Sequence, residues 1–140
     1  MYFATATTAG WTYVFTSVPY FEIIIESLRY CIEHKQLHLH GYVIMSNHAH
    51  YILSTDEEKN LSDVMRDSRT HTSREIGALL KSDGKEEILQ RFRDAAQQDR
   101  RGNEFKVWIE GFHPIAIVSE KFFRQKLKYL HDDPFYVQSV

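Results

Sequence analysis

Bulky and small residues alternate from Tyr2 to Thr8, the two-residue period of a β-strand. Gly10-Trp11 interrupts that period, and Tyr13 to Phe15 reads as a short extension of it. From Pro19 the spacing becomes helical. Phe21, Ile24, Ile25, Leu28, Cys31 and Ile32 fall on one face and predict an amphipathic helix over roughly residues 19–35. Two more strand-like runs, His38 to Met45 and His48 to Ser54, flank Ser46-Asn47, a pair suited to a tight hairpin turn. Asn60 with Asp63 after it has the form of a helix N-cap. The apolar face that follows, Leu61, Val64, Met65, Ile76, Leu79 and Leu80, ends at Ser82-Asp83-Gly84. Ile88, Leu89, Phe92, Ala95 and Ala96 mark another helix, closed before Gly102-Asn103. Phe105, Val107 and Ile109 alternate with Lys106, Trp108 and Glu110 as in a strand, and Gly111 to Pro114 is a loop. Ser119 caps a last helix with Phe123, Leu127 and Leu130 on its buried stripe and Pro134 at its end.

The predicted order is strand, helix, strand, strand, helix, helix, strand, helix. Few strands joined by helices around a central hairpin point to an α+β fold, one antiparallel sheet with helices packed on it. No repeat or linker divides the chain, so residues 1–140 read as a single domain. At 140 residues, 43% hydrophobic and 26% charged, it has enough apolar surface for a real core. No run is apolar enough to cross a bilayer and none reads as a signal peptide; with Cys31 as the one cysteine, a reducing cytoplasm is expected.

The net charge of −2 is unusual for a nucleic-acid binder. Its distribution is uneven: 3 Lys/Arg against 7 Asp/Glu precede residue 66, and 14 against 12 follow from there. Any nucleic-acid path should therefore lie on the second half. Arg66, Arg69 and Arg74 are spaced to share one side of the middle helix, away from Leu61, Met65 and Ile76. Phosphate contacts are one use for them; a solvated face paired with Asp63, Asp67 and Glu75 is the other.

Candidate chemistry concentrates at His48-Ala49-His50. On a strand these two imidazoles point the same way, ~6–7 Å apart along the backbone, close enough to converge on one metal ion. A bare His-x-His is more often a pair of polar residues at a strand start. His38-Leu39-His40 has the same spacing. A two-residue turn at Ser46-Asn47 sets Met45 opposite His48 and Val43 opposite His50, which puts His38 and His40 on the other side of the sheet. On the last helix Gln125, Tyr129 and Asp133 line one side, with Lys126 adjacent. Asp132 and Asp133 sit where the helix dipole disfavours anions, so a compensating cation is expected there: a metal, Lys128 or solvent.

Taken together these segments resemble the single-tyrosine HUH transposases, including the REP-associated tyrosine transposases. Three ordered anchors carry the resemblance: Tyr42-Val43-Ile44-Met45-Ser46-Asn47-His48-Ala49-His50; then Trp108 with Gly111-Phe112-His113-Pro114-Ile115; then Lys128-Tyr129-Leu130-His131-Asp132-Asp133-Pro134. The resemblance implies a ferredoxin-like sheet. It implies Tyr129 as nucleophile, His48 and His50 as metal ligands, and Asp133 as a third ligand for Mg²⁺ or Mn²⁺. Two departures stand out: Asp-Asp replaces the family's Asn-Asn, and no glycine follows Pro134. A carboxylate remains a good ligand for either ion.

The implied activity is that of a metal-dependent endonuclease and strand transferase on hairpin-containing single-stranded DNA, working through a 5′-phosphotyrosine. A phenol ionises near pH ~10, so attack at neutral pH needs a cationic neighbour, a metal or a base, and Lys126 is the candidate cation. A homodimer is compatible with the family, its tyrosine helix acting in cis or in trans. The expected location is the cytoplasm, at the nucleoid when bound to DNA. A domesticated, non-cutting nucleic-acid-binding module, a water-using metal hydrolase and a plain interaction protein are the rival readings.

Overall fold

The computed structural model describes residues 1–109, 111–132 and 136–137. Three longer strands, β1 (Tyr2–Thr7), β2 (Leu37–Ile44) and β3 (His48–Thr55), form the middle of an antiparallel sheet. Two-residue strands β4 (Ile115–Ala116) and β5 (Tyr136–Val137) complete the order β4-β1-β3-β2-β5. The helices are α1 (Val18–His34), α2 (Leu61–Ser82), α3 (Glu86–Asp99) and α4 (Glu120–His131). β1 and β2 each run antiparallel to β3 and so parallel to one another, with α1 as the crossover between them. This is the split βαβ unit of the ferredoxin-like sheet, and the α+β class follows.

The alternation of the strands decides which helix covers which face. Leu37, Tyr42, Ile44, Ala49, Tyr51 and Leu53 join the main core with Tyr20, Ile24 and Leu28 of α1 and Val64, Ile76 and Leu80 of α2. Phe3, Val43 and Ile52 on the other face meet fully buried Leu130, with Phe123 and Leu127 packed alongside. Each such fully buried side chain contributes about 1.5–3 kcal/mol. A methyl group at Gly41 would lie 3.3 Å from Leu130 Cδ1, so that glycine lets α4 settle close to β2. The expected caps form: Asn60 Oδ1 accepts from the Asp63 amide at 3.2 Å, and Ser119 Oγ from the Phe122 amide at 3.1 Å. The stop expected at Pro134 lies outside the described residues.

Three expectations change. The stretch from Phe105 to Ile109 is not a strand: its one ladder contact is a bridge between Thr8 and Trp108. Its polar groups turn to the helices instead. The Lys106 amide donates to Phe92 O at 3.0 Å, the Val107 amide to Ser73 Oγ at 3.1 Å, and the Trp108 indole to buried Thr72 Oγ1 at 2.9 Å. Tyr13 to Phe15 does not extend a strand either, because the Val14 and Phe15 amides both bond to Ser46 O, at 2.9 and 3.0 Å. Third, His38 and His40 do not turn to the opposite side. The hairpin register is as expected at the turn, with Val43 opposite His50 and the Met45 amide bonded to His48 O at 2.7 Å. A bulge between Leu39 and Gly41 then inserts His40 and reverses the parity beyond it. His38 pairs with Ser54 and His40 Nε2 reaches Ser54 Oγ at 2.9 Å, on the His50 side of β3 but at its far end. The four histidines still form no single cluster, because of distance along the strand rather than opposite faces.

Among the described residues no helix is long and apolar enough to cross a membrane. Gly77 of α2 leaves the space that Phe105 fills; an added Cβ would stand 2.6 Å from Phe105 Cε2. Overpacking costs about 1–3 kcal/mol against roughly 1 kcal/mol gained from alanine's helix propensity. Gly77→Ala is therefore expected to lower Tm by a few degrees in thermal denaturation, and an unchanged or raised Tm contradicts that packing.

Candidate active site

His48 and His50 stand on the α4 face of β3, next to the Ser46-Asn47 turn, with ring centroids 4.8 Å apart. Tyr129 of α4 brings its ring to 5.3 Å from that of His50, within the same chain, and keeps 54% of its surface exposed. Phe3 from β1 lies 5.4 Å from His50 and 6.1 Å from Tyr129, an apolar floor beneath both. The Lys126 ammonium hangs over these rings, 4.4 Å from the Phe3 centroid, 5.4 Å from Phe122 and 5.9 Å from Tyr129. Two imidazoles, an exposed phenol and a cation thus share one site.

Hydrogen bonds orient both imidazoles. His48 Nδ1 lies 2.8 Å from Asn47 Oδ1, and the Asn47 amide nitrogen faces Trp11 O at 3.5 Å. A carboxamide oxygen only accepts, so His48 carries its proton on Nδ1 and a lone pair on Nε2. His50 Nδ1 lies 2.8 Å from Thr5 Oγ1, the residue directly opposite it on β1. With Nδ1–H donating to Thr5, His50 matches its neighbour. This donor set fits a divalent ion: two imidazoles, each held through its second nitrogen, are how histidine ligands are usually oriented. Among the described residues no group of three or more His, Cys, Asp or Glu converges, and Asp133 lies outside them. Asn47 and Thr5 were missed in the sequence. Thr5 becomes legible only once the β1–β3 register is known.

Tyr51, next to His50 in sequence, is no rival for Tyr129. It points into the main core, and burial pushes its phenol pKa well up, with Arg69 pulling weakly the other way. The three candidate arginines do gather, but elsewhere. Arg66, Arg69 and Arg74 line an open cleft of about 540 Å³ between α2 and residues 99–111, joined by Lys81, Arg101 and Lys106. Asp99 and Glu104 are the acids in its lining. Several charges are already paired: Arg66 with Asp63 at 3.2 Å, Lys81 with Glu104 at 2.6 Å, and Arg101 and Lys106 with Asp99 at 3.1 and 3.4 Å. Arg69 lies 5.5 Å from the Phe112 ring. The cleft reaches the histidines along one edge, since Ile109 in its wall donates to Thr7 O at 2.8 Å and Thr7 lies opposite His48. Gly111, also in its lining, has φ +90 and is covered by the His113 ring, so a side chain there would be both strained and blocked.

The family described as "Transposase IS200 like" matches residues 13–113, a stretch that includes both site histidines and stops short of Tyr129. No curated protein sequence matches the chain. Among solved structures, a REP-associated tyrosine transposase bound to a REP hairpin superposes with a TM-score of 0.63 at 14% identity, over 96% of this chain and 74% of that one. A protein from Deinococcus radiodurans R1, assigned as a transposase, gives 0.55 at 13% identity, over 94% and 89%. At these identities the two structures establish the fold.

Asn47 holding the His48 proton has a direct readout. Nitrogen-15 chemical shifts of the chain labelled at histidine are expected to place that proton on Nδ1. Asn47→Asp should keep it there and Asn47→Ala should release it; a proton on Nε2 in the unsubstituted chain contradicts the assignment.

Proposed function

This chain belongs to the IS200-like transposase family, and on that footing we propose that it cuts and rejoins single-stranded DNA with Tyr129 as the nucleophile. The observation that carries the reading is the exposed Tyr129 ring, 5.3 Å from His50 of its own chain. Tyr129 Oη attacks the scissile phosphorus, the bond from phosphorus to the 3′ oxygen breaks, and that oxygen leaves as a 3′-OH once protonated. The phenol gives up its proton in the same step, and a 5′-phosphotyrosine remains. A later 3′-OH reverses the exchange and rejoins DNA with no external energy source. The Lys126 ammonium stabilises the phenolate and the phosphate that approaches it.

His48 and His50 would hold Mg²⁺ or Mn²⁺ through Nε2, with Asp133 as the proposed third ligand. A bound ion would supply positive charge to the phosphate oxygens as the transition state forms. The Arg66, Arg69 and Arg74 cleft holds the backbone of the folded part of the substrate. A hairpin is the proposed form, because a chain of similar fold was solved on one. Tyr129 beside its own histidines favours action in cis. The proposed place of work is the cytoplasm, at the nucleoid when on DNA. A second reading, hairpin binding without cutting, is favoured by the net charge of −2 and the acidic Asp132-Asp133 pair.

Incubating the protein with end-labelled hairpin oligonucleotides bearing single-stranded flanks, with Mg²⁺ or Mn²⁺, should give a covalent adduct. It should vanish in Tyr129→Phe and form on the order of 10²–10³-fold more slowly in His50→Ala. Hairpin binding without an adduct across a broad substrate panel selects the non-cutting reading, and an adduct surviving Tyr129→Phe removes Tyr129 from its role. Arg74→Ala should weaken hairpin binding and lower the salt dependence, log K against log[salt], by roughly one unit of slope. An unchanged slope takes Arg74 off the DNA.

A further inference from the structure

Among the described residues Trp11 and Tyr13 are the two large aromatic rings left most open to solvent, 66% and 64% exposed, while Thr12 and Val14 between and after them are buried. Trp11 ends a short 3-10 turn and Thr12 after it is extended (φ −70, ψ 132), so the two exposed rings follow each other roughly 6–7 Å apart along the chain. This segment is tied to the active site. Trp11 O receives the Asn47 amide, Asn47 orients His48, and the amides of Thr8, Val14 and Phe15 bond to the carbonyls of the same turn. Trp11 also sits at φ 56, a left-handed conformation rare for a bulky side chain. It is held there by the Trp11 amide bond to Thr8 O at 3.1 Å and by Thr12 Oγ1 donating to Ala9 O at 2.8 Å. Strain fixed by so many bonds, supporting a ring that packs on little, needs a reason outside the core.

We infer that Trp11 and Tyr13 form a stacking platform for unpaired bases flanking the scissile phosphate. The inference rests on the proposed single-stranded DNA substrate and adds the residues that grip its bases. Aromatic rings stack any base through its π-face, so such a platform holds a strand irrespective of sequence. The bases occupy it because the chemistry beside it acts on a phosphodiester. Asn47 bonds both the His48 ring and Trp11 O, so a strand whose phosphate lies at Tyr129 and His48 has Trp11 within reach of its flanking nucleotides. The cleft lined by Arg66 and Arg74 offers charge to a backbone, whereas this surface offers rings to unstacked bases.

The test uses full-length Tyr129→Phe protein, which cannot form the proposed adduct, and a short oligothymidine as probe. Trp11 fluorescence should be quenched by the single strand and not by a blunt duplex of equal length. Trp11→Ala and Tyr13→Ala should each weaken binding roughly 5- to 100-fold, and Trp11→Phe should recover most of the loss. Thermal melting confirms that the variants are folded, as expected for exposed rings. Full binding by both alanine variants, or saturation without quenching, overturns the platform. Trp11→Ala that alters sedimentation but not DNA affinity assigns the rings to self-association and also overturns it. The adduct assay on unsubstituted protein reads the cutting chemistry separately, so either idea can fail alone.

Discussion

The arrangement depends on how tightly the Ser46-Asn47 turn is held. A two-residue hairpin turn sets the register of its strands but is ordinarily solvated on its outer side. Here residues 8–15 wrap it and bind both of its carbonyls: Thr8 donates to Asn47 O through its amide at 2.9 Å and its hydroxyl at 3.0 Å, and Val14 and Phe15 bond to Ser46 O. With the turn fixed, the parity of β3 is fixed, and a slip by one residue would carry both imidazoles to the core face. The same wrap delivers Trp11 O to Asn47 and so determines the orientation of the His48 ring. Preorganisation of this kind lets a rigid strand, rather than a mobile loop, carry the two candidate ligand imidazoles.

The second support comes from the other end of the sequence. Trp108 stacks on Phe15 at 5.6 Å while its indole bonds to Thr72. One side chain thus links the wrap around the turn to α2, the helix that carries the arginines. Beside it, Ala9 bonds to Val107 O at 2.6 Å and Ile109 to Thr7 O. The basic cleft and the histidine pair are therefore not independent surfaces. They are joined through residues 105–109, whose hydrogen bonds go to a strand end on one side and to helices on the other. A hairpin stem in the cleft and a single strand at Tyr129 would be held at a separation that this segment sets.

Features with a local cause could be read from the sequence: the period of each long strand, the Asn60 and Ser119 caps, and the matched parity of His48 and His50. The hidden features arise from contacts distant in sequence. His40 looks like any other residue of an alternating run, and only pairing with β3 reveals that it is the bulged one. Phe105 to Ile109 alternates as a strand does, yet Ser73, Thr72 and Phe92 take its hydrogen bonds, and no pattern within the segment announces that. The uneven charge and helical spacing brought Arg66, Arg69 and Arg74 together, but the far wall of their cleft, with Arg101 and Lys106, comes from residues distant in sequence. Tyr129 stands out as a candidate only through motif resemblance, since one tyrosine at a helix rim carries no signal of its own. Residues 8–15, which wrap the turn, read in sequence only as a break and a short extension.

Whether Tyr129, the proposed nucleophile, would serve its own chain or a partner is an energetic question about α4. The helix is held by Leu130, fully buried against Phe3, Val43 and Ile52, with Leu127 and Phe123 alongside and Gly41 admitting the close approach. Lifting α4 to reach another subunit exposes this stripe, at about 1.5–3 kcal/mol for each side chain fully uncovered. An exchanged dimer recovers that energy only if the partner's sheet offers the same seat, and then the gain over the unexchanged form is close to zero. Association entropy opposes the exchange at low concentration. The contacts between Phe3, His50, Lys126 and Tyr129 are already made within one chain, so the exchanged form has no unsatisfied site to complete. For the proposed attack by Tyr129 the balance therefore favours cis, with the phenol carried on a helix whose apolar side is anchored and whose Tyr129 side is open.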